Sequence, residues 1–214
     1  MAEKDIYKLY KFVMQICGFE KSISKFVNDL DLELKDNNKI LKVGCGTGVI
    51  GLQLIEKFPK STLFATDILE KFLYQTIHNA EKRGISKDKI SVAISDISTP
   101  DKVTLLDNSS NYLEKESFDI VCVGATIGYS KNKEETIKKL LDLIKPKGYL
   151  INLEMNEWII GKLTSDEYQY SNIPLTEMKK IIEEMGHEVS FIPLSMKYFP
   201  TNLTRIGMVV RKNP

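Results

Sequence analysis

The stretch KILKVGCGTGVIGLQL, from Lys39 to Leu54, decides how the rest of the chain is read. A short apolar run, Ile40-Leu41-Lys42-Val43, stops at Gly44. Glycines recur at positions 46, 48 and 51, and helical spacing through Ile50, Leu54 and Phe58 begins at once. The period therefore switches from strand to helix across the glycines. Glycine there lets the backbone turn tightly and lets a ligand approach with no Cβ in the way. The free N–H groups of the next helix point back at the loop, and open α/β sheets bind ligands at the carboxyl ends of their strands. A nucleotide-like ligand follows. Gly46-Thr47-Gly48-Val49-Ile50-Gly51 has the form G-x-G-x-x-G, and Asp67 lies about twenty residues on, where such units place a carboxylate on ribose hydroxyls. The pattern does not specify the nucleotide. It also leaves Gly44, at the strand end, outside the fingerprint. No Gly-x-x-x-x-Gly-Lys-Ser/Thr occurs, so the loop is not built for a nucleoside triphosphate.

Working outward, strand and helix patterns alternate. Strands are expected at 40–43, 62–66, 90–94, 118–123, 149–153, 189–192 and 206–210. Phe118 to Val123 is apolar enough to be buried on both faces, as a central parallel strand would be. Helices are expected at 49–58, 70–83 (with Gly84 as its cap), 134–144 (stopped by Pro146 and Gly148) and 176–185 (with Thr176 as N-cap and Gly186 past the end). The alternation predicts a doubly wound α/β fold with a mostly parallel, seven-stranded sheet and helices on both faces. The last two strands have no helix between them, only LSMKYFPTNLT (Leu194–Thr204), which predicts an antiparallel C-terminal hairpin. Residues 1–38 differ in character. Ile6, Leu9, Tyr10, Val13 and Ile16–Cys17 follow helical spacing, and Ile23, Phe26, Val27 and Leu30 do so again. They predict an N-terminal extension of two amphipathic helices, either packed on the core or covering a site as a substrate lid, ahead of a nucleotide-binding domain at 39–214.

Composition bounds the partners. The 214 residues hold 43% hydrophobic and 28% charged residues with a net charge of +1, a globular profile with no bulk signal for nucleic acid or a polybasic membrane contact. No apolar run reaches bilayer-spanning length, and the first residues lack signal-peptide form. Cys17, Cys45 and Cys122 sit in apolar contexts without metal-ligand spacing, as free thiols of a reducing cytoplasm do.

Six segments together resemble the class I S-adenosylmethionine-dependent methyltransferases. ILKVGCGTGVIG is similar to their first motif, FATDILEKFL to the end of their second strand, and NAEKRGISKDKISVAISDI to the helix and third strand. FDIVCVGATIGY resembles the fourth strand, LLDLIKPKGYLINLE the helix, turn and fifth strand, and LTEMKKIIEEMGHEV the last helix and sixth strand. The resemblance implies a Rossmann-like fold, S-adenosyl-L-methionine as cofactor and methyl transfer. By position it implies Gly44, Cys45, Gly46 and Gly48 along the methionine and ribose, Asp67 on the ribose hydroxyls, Ile68 and Ile97 beside the adenine, Asp96 on the adenine amino group, and Gly124 and Ala125 at the methionine end. Lys42 departs from the family, which usually has an acid there. It is expected to snorkel to solvent, to pair with an acid such as Glu154, or to weaken the cofactor.

Methyl transfer from a sulfonium needs alignment and dryness more than acid–base chemistry. A base is needed only where the acceptor must lose a proton, and Glu154, Glu157 and Tyr129 are the candidates. His78 and His187 lie in positions where any polar residue would serve. Trp158, Tyr168 and Tyr170 are candidates for an acceptor pocket. The residues after the fourth strand, Gly124-Ala125-Thr126-Ile127, lack the Asn/Asp-Pro-Pro-Tyr of adenine-amino methylation. There is no Pro-Cys for cytosine C5 and no zinc set for thiol activation. A small-molecule acceptor fits best, with protein or lipid acceptors behind it. Two alternatives stay open. One is a non-catalytic domain with an altered cofactor site at Lys42. The other is an NAD(P)-dependent oxidoreductase, for which Tyr129 and Lys133 give a Tyr-x-x-x-Lys pair.

Overall fold

The computed structural model describes residues 18–214, so the first expected helix, with Cys17, lies outside the described residues. The elements are α1 (Phe19–Asp29), β1 (Lys39–Val43), α2 (Val49–Lys57), β2 (Thr62–Asp67), α3 (Glu70–Lys82), β3 (Ile90–Ile94), β4 (Lys102–Leu105), β5 (Ser110–Tyr112), β6 (Phe118–Val123), α4 (Lys133–Asp142), β7 (Ile144–Met155), α5 (Ile159–Glu167), α6 (Leu175–Glu184), β8 (Glu188–Ile192) and β9 (Arg205–Arg211).

One sheet runs through the molecule in the order β5-β4-β3-β2-β1-β6-β7-β9-β8. The five strands from β3 to β7 are parallel. Their apolar runs explain this. Ile40, Leu41, Ile120, Val121, Leu150 and Ile151 are fully buried, which requires cover on both sheet faces. One face packs under α1, α2 and α3 around Phe26, Leu52, Leu63 and Leu73. The other packs under α4 and α6 around Leu41, Val121, Leu140 and Ile182. β9 inserts antiparallel between β7 and β8, forming the expected terminal hairpin.

The described sheet has nine strands, not seven. The additional pair, β4 and β5, forms an antiparallel hairpin on the outer edge of β3. Its sequences, KVTL and SNY, are short and β5 is exposed throughout, so no buried alternation marks them. Two further details differ. α5 was not expected, because its first residue Ile159 is exposed and no apolar stripe announces it. The N-cap of α6 is Pro174, and Thr176 lies inside the helix. Among the described residues no helix is long and apolar enough to cross a membrane, and no group of His, Cys, Asp or Glu could hold a metal ion.

Candidate functional site

The carboxyl ends of β1, β2, β3 and β6 meet at the glycine loop, where parallel sheets gather ligand contacts. Gly44 has φ +62°, and a Cβ there would stand 2.5 Å from Thr126 Cγ2, so only glycine fits the turn. A Cβ on Gly46 would meet nothing within 4 Å, because this part of the loop faces open space. Asp67, at the end of β2, accepts from Gly46 N at 2.9 Å through Oδ2 and from Leu69 N at 3.0 Å through Oδ1. Its carboxylate thus pins the glycine loop to β2. Each oxygen keeps acceptor capacity beyond these bonds. Asp96, after β3, accepts from Ser98 N at 2.8 Å. Between the two acids lies a cavity of about 420 Å³, bordered by Gly44, Gly46, Ile68, Leu69, Phe72 and Ile97, with Thr126, Tyr129 and Lys131 across it.

A second, smaller cavity of about 160 Å³ lies against the same Gly44 and Gly46 and reaches Cys45, Gly124, Leu153 and α1. Lys42 borders it. The side chain neither snorkels nor pairs with Glu154. It is only 2% exposed, and its Nζ donates to Val43 O and Gly44 O, each at 2.8 Å. Burial pushes its ammonium below the ordinary lysine range, against opposing pulls from Cys122, Cys45 and Asp67. Burial likewise raises the Cys45 thiol to about 11 and the Cys122 thiol to about 12, so both stay protonated near neutral pH.

Of the residues singled out from the sequence, Gly44, Gly46, Asp67, Ile68, Asp96 and Ile97 border the larger cavity. Gly44, Cys45, Gly46 and Gly124 border the smaller one. Gly48 and Ala125 border neither; Gly48 is the N-cap of α2, and Ala125 donates its N–H to Leu153 O at 3.0 Å. Glu154 is buried and accepts from Asn152 Nδ2, from its neighbour Met155 N and, at close range, from the Tyr170 hydroxyl. Glu157 is exposed, and Trp158, Tyr168 and Tyr170 border neither cavity. Tyr129 does border the larger one, and burial pushes its hydroxyl above the usual range, which suits a donor rather than a base. His78 is exposed and His187 lies at the far end of the last hairpin, accepting from Asn213 N. The residues that sequence reasoning missed include Leu69, Phe72, Thr126 and Lys131 on one side and Phe19, Ile23 and Arg205 on the other. Arg205 stands 163 positions beyond Lys42 in the sequence, and no local pattern links the two.

The comparisons bear on the family and the fold. Residues 34–191 match the family model described as a methyltransferase domain. Malonyl-[acyl-carrier protein] O-methyltransferase 2 of Ilyobacter polytropus is 24% identical over 153 residues, covering 68% of this chain and 53% of that protein. The chain therefore spans about half the length of that curated relative. A SAM-dependent methyltransferase from Aquifex aeolicus shares the fold with a TM-score of 0.62 at 17% identity, covering 98% of each chain. An O-methyltransferase family protein from Burkholderia thailandensis does so with a TM-score of 0.67 at 15% identity, covering 97% of this chain and 59% of that one. The family match also decides against the oxidoreductase reading. With its glycine loop, its paired carboxylates at the second and third strand ends and its antiparallel terminal hairpin, the chain belongs to the methyltransferase-domain family, whose cofactor is S-adenosylmethionine.

Proposed function

We propose that this chain binds S-adenosylmethionine in the larger cavity and transfers its methyl group to a small-molecule acceptor. The observation that carries the reading is the placement of Asp67 and Asp96 on one cavity with the glycine loop, which is open at Gly46. Asp67 would accept the ribose hydroxyls, and Asp96 would accept from the adenine amino group. Ile97, Leu69 and Phe72 supply apolar surface for the base. When bound, the cofactor supplies a methyl group already activated on a sulfonium. The chain's own work is then to align the acceptor and exclude water. Glu154 already accepts from Tyr170, Asn152 and Met155 N and serves the fold. An acceptor that is already ionised, or is nucleophilic when neutral, suits a site arranged this way.

A second acceptor class is favoured by one observation. The Ilyobacter relative is named for acting on malonyl-[acyl-carrier protein], so an acyl group on a carrier protein stands beside the free small molecule. The test begins with the cofactor. S-adenosylhomocysteine at one hundred times its dissociation constant should add roughly 2.7 kcal/mol to stability, which raises the melting temperature of a chain this size by about 5–10 °C. NAD should shift nothing. A shift with NAD and none with S-adenosylhomocysteine overturns the reading. Binding of the cofactor without methyl transfer to any of a panel of free and carrier-bound acyl acceptors supports the non-catalytic alternative.

A further inference from the structure

The turn after β6 brings Tyr129 to the larger cavity and is gripped at two glycines. The Thr126 side chain occupies the space where a Cβ on Gly44 would be. Two residues on, Gly128 lies against the ring of Tyr170. A Cβ on Gly128 would stand 2.5 Å from Tyr170 Cζ and 2.6 Å from each Cε, so any other residue would push the ring back. The Tyr129 ring then meets the Tyr170 ring edge to face, with centroids 5.0 Å apart and planes at 82°. The Tyr129 N–H closes the turn on Thr126 O at 3.1 Å, and the Lys131 N–H reaches Ser98 Oγ at 3.2 Å. Tyr129 itself is 50% exposed, and Tyr170 is its ring contact among the described residues.

Tyr170 borders neither cavity, yet it is fixed in place from its own side. It comes from the connection between α5 and α6 and is buried, and its N–H donates to Ser165 O at 2.8 Å. Its hydroxyl donates at close range to Glu154, at the end of β7. That carboxylate is buried too, and it is held by Asn152 Nδ2 at 2.9 Å and Met155 N at 2.8 Å. Burial, with Glu154 beside it, raises the Tyr170 hydroxyl well above its ordinary range, so it stays a donor. A buried phenol tied to a buried acceptor has one direction, whereas a purely apolar side chain of similar size would have none imposed on it. We infer that Tyr170 is a positioning residue: it holds the turn after β6 so that the Tyr129 ring stands as a wall of the larger cavity before any ligand arrives. A wall set in advance spares the ligand the cost of ordering it.

The inference rests on the proposed function only for the identity of that ligand. Calorimetry with S-adenosylhomocysteine and with 5′-methylthioadenosine, which lacks the amino-acid end, reads the wall, and thermal unfolding reads the fold. Tyr129→Leu should weaken both nucleosides by about tenfold, because Tyr129 borders the larger cavity and not the smaller. Tyr170→Leu should weaken them about as much, and the double variant no more than either single one. Tyr170→Phe keeps the ring and loses the bond to Glu154. It should lower the melting temperature yet leave both affinities within about threefold of the wild type. Gly128→Ala should weaken binding in the wild-type background and not in the Tyr170→Leu background. If Tyr170→Leu does not fold, Gly128→Ala takes its place in the cycle with Tyr129→Leu. Additive losses in the double variant, or affinities that follow the melting temperature through every variant, overturn the positioning role. Unchanged affinities in a folded Tyr129→Leu variant overturn the wall. Failure of wild-type protein to bind S-adenosylhomocysteine overturns the proposed function instead. Near-ultraviolet circular dichroism of the free protein then decides the positioning. The Tyr129 band, taken as the difference made by Tyr129→Leu, should vanish in the Tyr170→Leu background and persist in the Tyr170→Phe background. A band that persists in both overturns it.

Discussion

Asp67 joins two parts of the loop region with one carboxylate. Two backbone N–H groups already point at it, from Gly46 and Leu69, so the acid holds the glycine loop in place before any ligand arrives. Asp96 holds only the N–H of Ser98, two residues along its own turn. The two acids should therefore respond differently to neutralisation. Asp67→Asn keeps the shape but turns an NH₂ toward one of the two donors. Hydrogen bonds to a charged group are worth about 1.5–3 kcal/mol, so S-adenosylhomocysteine should bind roughly ten- to hundredfold more weakly and the melting temperature should fall as well. Asp96→Asn should weaken the ligand with little loss of melting temperature. Calorimetry and thermal unfolding on the two variants check this. A loss of affinity at Asp67 with an unchanged melting temperature would show that the loop does not depend on its carboxylate.

Helix α1 shows how an extension becomes part of a core. Its apolar residues Ile23, Phe26 and Val27 are buried, and Ser22 bonds closely to Thr201 across the molecule. The Phe26 ring lies so near β9 that a Cβ on Gly207 would be 2.7 Å from it. Lys57 of α2 reaches over the helix end to Val27 O, Asn28 O and Leu30 O. The same helix lends Phe19 and Ile23 to the smaller cavity, so its packing and its place at the site cannot be separated. Removing residues 1–36 should unfold the protein rather than leave a bare cofactor-binding domain. Phe26→Ala should cost about 3–5 kcal/mol, and on the order of 10 °C in melting temperature. A soluble truncation that melts cooperatively at the full-length temperature would return this segment to the role of a lid.

Across the whole molecule, what could be read from the sequence follows burial. The five parallel strands are apolar on both sides and stand out, and Asp67 and Asp96 follow because ligands gather at the ends of such strands. The hairpin β4–β5 is exposed and α5 lacks an apolar stripe, so neither is marked by a period. Arg205 and Phe19 reach the site only because β9 inserts between β7 and β8 and α1 folds across it, which no local spacing encodes. Burial also sets how the assembled protein answers to alkali. Lys42 has its ammonium pushed below the ordinary lysine value of 10.5, so the folded state holds fewer protons on it than the unfolded chain, and its contribution to stability improves as pH rises toward 10.5. Cys122 runs the other way. Its thiol is raised from 9.0 to about 12, so above pH 9 the unfolded chain ionises while the folded one does not, and stability is lost from there upward. Cys45, raised to about 11, adds in the same direction. Cys122→Ala removes one thiol and leaves the lysine, so the comparison isolates the sign. Between pH 8 and 10 the unfolding free energy of the wild type should fall by roughly 1 kcal/mol more than that of the variant, by denaturant titration at each pH. Parallel curves would mean that the folded protein lets Cys122 ionise as freely as the unfolded chain does, and hence that the centre of the sheet between β1 and β6 is not dry.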